Sequence, residues 1–176
     1  MKERKDDWMR TYTGKKFWPF DPRPEDIDIY DIAHSLSLQC RFNGHCKVFY
    51  SVAQHSVLVS EIVKHKQAFP ALLHDAPESY LGDIIQPLKK NLKEIHSIEK
   101  RLLEIILEHF GIEDYNQDEI YRADKILLVT EMRDLMTSPP ETWEESKLYR
   151  PLPKKIIPLS CKKAERLFLK RYAELK

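Results

Sequence analysis

Apolar residues recur at three- and four-residue intervals over most of this chain, the period of helices that turn one face to a core. From Asp28 to about Arg41 the stripe is Ile29, Ile32, Ala33, Leu36 and Cys40. Ser51, with Gln54 three residues on, is a capping-box signature; the helix it opens presents Val52, His55, Val59, Ile62 and Val63 on one face. Pro70 suits the first position of a third helix carrying Leu73, His74 and Asp75, which Pro77 kinks or ends. A long amphipathic helix is predicted from about Pro87 to Phe110 through Leu88, Leu92, Ile95, Leu102 and Ile106, with Gly111 as its stop signal. Asn116 and Glu119 cap another, whose shared face carries Ile120, Ala123, Asp124, Leu127, Leu128, Glu131 and Leu135. Ser160 opens the last, with Ala164, Leu167, Phe168 and Tyr172 inward.

Two stretches break the pattern. The start of the chain to residue 27 is non-helical, with the aromatic, proline-rich "TYTGKKFWPFDPRPEDI" at 11–27; residues 137–159 hold five prolines and Trp143. A connection that long reads equally as a functional lid or subunit contact and as a surface loop. Only four glycines occur, and most of the eleven prolines fall where helices start or the chain turns. The expectation is an all-α fold of one domain over residues 1–176, with a Pro-rich loop before the last helix.

Composition narrows the function classes. Twenty-nine Lys and Arg face 28 Asp and Glu, a net charge of +1, so no global field draws the chain to nucleic acid or anionic lipid. A small or locally charged ligand is expected instead. Cys40, Cys46 and Cys161 have neither zinc-knuckle nor CxxC spacing, which suits reduced thiols in a cytoplasmic protein. No run approaches the roughly 18 apolar residues that span a bilayer, and "MKERKDDWMR" lacks the apolar core of a signal peptide. A soluble, unprocessed chain is expected.

Polar groups stand where Leu or Val would be expected on three inward faces: His55, His74 with Asp75, and Asp124. Unpaired, each would cost several kcal/mol, on the order of a whole domain's net stability. Singly, each could be a hydrogen-bonded or ion-paired core residue. Together, two imidazoles and two carboxylates make a mixed N/O ligand set suited to one divalent transition metal: Mn, Co, Fe, Ni or Zn.

The order His55, His74-Asp75, Asp124 resembles the H…HD…D signature of the HD-domain metal-dependent phosphohydrolases. The text around it is more specific. "HDAPESYLGD" followed by "IIQPLKK" looks like the bacterial 5'-deoxynucleotidase branch, and so does "LQCRFNGHCKVFYSVAQHSVLVSEIV" upstream, with Arg41-Phe42 fourteen residues before His55. "DPRPEDIDIYDIAH" is similar to bacterial and phage members, including phage enzymes that release triphosphate from deoxynucleoside triphosphates. The resemblance runs from about Thr11 to Leu135.

It implies a compact HD-domain helical bundle in which His55, His74, Asp75 and Asp124 hold the metal and Glu78 moves a proton. Arg41 and Lys89 are the expected phosphate cations; Lys90 lies in a charged run that suits a solvated face. Asp83 is implied as a site residue that accepts from the sugar 3'-hydroxyl, and Phe42 as the wall that excludes a 2'-hydroxyl. Trp18 or Phe20 could hold the base or pack in the core. His45 could protonate a leaving oxygen or be structural, and His34 has no assigned role. His65, His96 and His109 fall off the apolar stripes and read as surface residues.

The reading is an enzyme that removes phosphate from a deoxynucleoside 5'-monophosphate. Its alternatives are a triphosphohydrolase and a nucleotide-binding protein with a decayed site, the latter disfavoured because all five metal and proton-transfer positions are present. An alarmone hydrolase would carry a second acid where Ser79 stands, and the Gly-Tyr-Pro segment of cyclic-dinucleotide enzymes is missing. By the same analogy the chain is expected to form a homo-oligomer.

Overall fold

The computed structural model describes Arg4, residues 7–138 and residues 143–176. The first part is a short antiparallel ribbon, β1 (Met9–Arg10) on β2 (Lys16–Phe17), and a 3-10 turn at Pro24–Asp26. The helices follow: α1 (Ile29–Leu38), α2 (Val52–Ile62), α3 (Ala68–Leu72), α4 (Glu78–Leu81), α5 (Gln86–Lys89), α6 (Lys93–His109), α7 (Gln117–Leu135), α8 (Glu144–Leu148) and α9 (Cys161–Leu175). The protein is therefore mostly helical around a compact core, with one small two-stranded sheet among the described residues. Among the described residues no helix is long and apolar enough to cross a membrane.

Local chemistry explains the boundaries. Asp28 caps α1 by accepting from the Tyr30 N–H (2.9 Å), Ser51 caps α2 by accepting from the Gln54 N–H (3.2 Å), and Asn116 caps α7 by accepting from the Glu119 N–H (3.0 Å). The capping box at Ser51 is half realised. The Gln54 side chain turns away to donate to the Ile157 carbonyl and accept from the Leu159 N–H, tying the Pro-rich loop to α2. That loop is further pinned to α7, where Thr130 Oγ accepts from Leu152 N–H and Asp134 from Ile156 N–H. It also contains α8, an element the apolar pattern did not announce; residues 139–142 of the loop lie outside the described residues.

Three expectations are corrected. The third helix is α3, which ends at Leu72, so the His74-Asp75 pair lies beyond it in a chain of tight turns. Pro77 has no N–H to offer the Leu73 carbonyl, which accepts from Ala76 N–H (2.9 Å) instead, and the helical ladder cannot continue. The long helix from Pro87 is two, α5 and α6, broken at residues 90–92. Leu88 and Leu92 are 51% and 44% exposed, so no core contact rewards a continuous helix there. The helix from Asp28 stops at Leu38, leaving Arg41 in a separate turn.

The main core gathers Phe17, Ile32, Leu36, Val57, Leu72, Leu102, Ile106 and Phe168, and a second cluster joins Val59 and Ala71 to Ile120, Ala123 and Leu127 on α7. Helix α2 lies between them, packing on α1, α3, α7 and α9. Its middle residue, His55, is fully buried.

Candidate metal centre

Each imidazole is held by one nitrogen and offers the other. His74 Nδ1 donates to the Ala71 carbonyl (2.8 Å), one turn back in the broken helix. His55 Nδ1 is 2.6 Å from Glu131 Oε1, two turns along α7 from Asp124 and fully buried. Both Nε2 atoms are buried and lack a hydrogen-bond partner. They face carboxylates: His55 Nε2 is 3.3 Å from Asp124 Oδ1 and 3.4 Å from Asp75 Oδ2, and His74 Nε2 is 3.3 Å from Asp75 Oδ1. One ligand atom from each of His55, His74 and Asp124 lies within 4.8 Å of the others, the arrangement of a possible metal site.

The donor set fits a divalent transition metal. Orphaned imidazole nitrogens pointing at two carboxylates are costly unless a cation satisfies them, and a histidine ligand usually gives its second nitrogen to a carboxylate or carbonyl, as both do here. Electrostatics agree. Burial and the Arg41 guanidinium push the His55 pKa down, yet Glu131 and Asp124 outweigh them and raise it to about 9. The same cluster holds Asp124 and Asp75 below the ordinary carboxylate value against the cost of their burial. A positive charge is favoured at the centre of these groups.

Glu131 is a candidate site residue to which the sequence pattern assigns no role. It appears on the α7 stripe seven residues after Asp124, and that spacing was the available signal. Its Oε2 also accepts from Arg41 Nη2 (3.2 Å), so one carboxylate orients a candidate ligand and a candidate phosphate cation together. We expect Glu131→Gln, which cannot accept from both, to lower divalent-ion affinity about 10- to 100-fold in calorimetric titration, the usual effect of losing a partner of a ligating histidine.

Arg41 reaches the cluster from an uncommon backbone. Phe42, Asn43 and Gly44 all have positive φ (55°, 52° and 80°), a left-handed run that costs energy at Phe42 and Asn43. The turn is clamped where Arg41 N–H donates to the Tyr50 carbonyl and Lys47 N–H to the Leu135 carbonyl. The guanidinium lies over the Phe42 ring (5.4 Å), 3.5 Å from Asp75, and its buried Nε has no partner.

Glu78 opens α4, buried, with Oε1 accepting from Lys89 Nζ (2.9 Å) and Oε2 without a partner. Burial, reinforced by Asp75 and Asp83, pushes its pKa well above the usual range despite Lys89. Gly82, at φ 87°, turns the chain so that Asp83 N–H donates to Gln39 Oε1 (3.0 Å), while Gln39 Nε2 donates to the Glu78 carbonyl (2.9 Å). Burial also raises Asp83, with Arg41 and Lys89 opposing and Asp75 adding. Lys125, unremarked in the sequence, sets Nζ 3.7 Å from Asp124 Oδ2.

The remaining candidates are placed as follows. Trp18 lies against the Arg4 guanidinium (4.2 Å), which also pairs with Asp21 and Asp26. Phe20, His45 and Lys90 are exposed, as are His65, His96 and His109. His34 stacks on Tyr12 and pairs with Glu165 (3.3 Å). The three cysteines are free of disulfides.

Fold and site thus define a helical protein with a candidate divalent-metal centre. The chain belongs to the family of the uncharacterized protein YfdR of Escherichia coli K12: the two are 38% identical over 172 residues, 96% of this chain and 95% of that protein. It is also 38% identical over 128 residues to the uncharacterized protein RCAP_rcc00048 of Rhodobacter capsulatus, covering 67% of this chain and 65% of that one. No family model matches the sequence.

Proposed function

We propose that this protein is an HD-type, divalent-metal-dependent phosphohydrolase that removes phosphate from deoxynucleoside 5'-monophosphates. The observation that carries the reading is the pair of buried, unpartnered Nε2 atoms of His55 and His74 facing Asp75 and Asp124, with the buried Glu78 carboxyl, raised in pKa by burial and by Asp75, in the same cluster. The ion they would hold is Mn, Co, Fe, Ni or Zn; it would supply Lewis-acid activation of water near neutral pH and positive charge for a phosphoryl group.

The chain's own groups divide the remaining work. Glu78 takes or returns a proton at Oε2, the oxygen that Lys89 leaves free. Arg41 and Lys89 face the charge that grows on the phosphoryl oxygens, and the unpartnered Arg41 Nε is a donor in reserve for one of them. Asp83, fixed by Gln39, is the acceptor for the sugar 3'-hydroxyl, and the Phe42 ring closes the space a 2'-hydroxyl would need.

A second reading, release of triphosphate from deoxynucleoside triphosphates, is favoured by Lys125, which adds a third mostly buried cation beside the cluster. Incubation with nucleoside mono-, di- and triphosphates and Mn or Co decides between them. Orthophosphate from dAMP, with AMP turned over more slowly, is the expected result. Triphosphate from dATP selects the second reading, and tight nucleotide binding without either product selects a decayed site. Asp83→Ala should abolish the preference for dAMP over AMP; equal wild-type rates on the two would remove the sugar-reading role.

A further inference from the structure

We propose that Glu99 is a positioning residue for this site: it fixes the Lys89 ammonium against Glu78 and clasps the 85–92 segment to the body of the protein. The inference rests on the phosphohydrolase reading for its catalytic consequence, but the clasp itself stands on geometry. Lys89 Nζ lies between two carboxylates, 2.9 Å from Glu78 Oε1 and 2.6 Å from Glu99 Oε1 on α6. The lysine side chain is only 11% exposed, whereas every other residue from Ile85 to Leu92 is exposed.

Backbone hydrogen bonds in this segment are local. The Leu88 and Lys89 N–H groups donate to the Ile85 carbonyl, Lys90 to Gln86 and Asn91 to Leu88. The Asn91 side chain donates to the Pro87 carbonyl, again within the segment. Among the described residues, the side-chain hydrogen bonds joining 85–92 to the rest of the molecule are therefore the two made by Lys89. With its apolar residues Ile85, Leu88 and Leu92 turned to solvent, the segment has little burial to hold it in place.

Lysine is a compact charge on a four-carbon stem with several rotamers, so its position is set by its partners. Glu78 alone is a poor anchor: it is buried, and burial with Asp75 and Asp83 nearby disfavours its charged form even with Lys89 in contact. Glu99, at the shorter distance, is the second anchor, held on the long helix α6. It keeps the ammonium next to the carboxyl that handles the proton, where a phosphoryl oxygen must also arrive, and one of the three ammonium protons stays available for that oxygen.

The test is a double-mutant cycle on the metal-loaded protein with dAMP and dATP, joined to hydrogen exchange of the 88–92 amides. Glu99→Gln is expected to lower kcat/KM about 10-fold and Lys89→Met about 100-fold, while the double variant falls no further than Lys89→Met, because Glu99 acts only through the lysine. Additive losses, or an unchanged Glu99→Gln enzyme, overturn the proposal. If wild type hydrolyses neither nucleotide, the phosphohydrolase reading is what fails, and exchange then decides the clasp. Glu99→Gln should speed exchange at 88–92 at least 10-fold while α6 stays protected; unchanged exchange there overturns it.

Discussion

His74→Ala and Asp124→Ala should each yield a folded protein that no longer retains a divalent ion and no longer turns over nucleotide. His74 supplies one of two unpartnered imidazole nitrogens, and Asp124 supplies the carboxylate 3.3 Å from the other. Glu131 cannot stand in for either donor, because it is already committed to His55 Nδ1 and Arg41. Elemental analysis of the purified variants measures the loss directly. Thermal unfolding gives an independent reading: at an ion concentration about 100 times Kd, binding to the folded state alone adds about 2.7 kcal/mol, on the order of 5–10 °C for a chain of this size. The wild type should show that rise on adding Mn, and both variants should lose it. Retention of the ion by both would mean that the ligands lie elsewhere.

Glu78→Gln separates ligation from proton transfer. Glutamine keeps the volume and can still accept at Oε1 from Lys89, so metal content and melting temperature should stay close to wild type. Turnover should fall roughly 100-fold or more, the usual scale of a missing general acid or base. The structural reason is the buried Oε2, which has no partner and belongs to a carboxyl held well above the usual pKa range by burial and by Asp75 and Asp83. A Glu78→Gln protein that loses its ion would instead make Glu78 part of the metal's own coordination.

Periodicity made α1, α2, α7 and α9 legible because each has an apolar stripe and an end marked by Asp28, Ser51, Asn116 or Ser160. It could not reveal the break at 90–92, since Leu88, Leu92 and Ile95 keep helical spacing whether or not they find a core, and two of the three face solvent. The turn at 41–44 was hidden for a different reason: Phe42 has positive φ in a turn whose flanks, Arg41 and Lys47, bond to Tyr50 and Leu135, the latter distant in sequence. His55, His74 and Asp124, which the structure brings together, stood out in the sequence because polar residues interrupt otherwise apolar positions there. The groups that orient them did not. Glu131 shares its stripe with Asp124 and looks like one more face residue, and Glu99 sits among charged neighbours that look like an ordinary solvated surface.

The metal centre itself is tested most directly by anomalous scattering from crystals of the protein grown with Mn or Co. The account predicts one strong peak inside the cluster, about 2.0–2.2 Å from Nε2 of both His55 and His74 and at a similar distance from an oxygen of Asp124. A crystal whose metal-loaded protein shows its strongest peak away from these three side chains would contradict it.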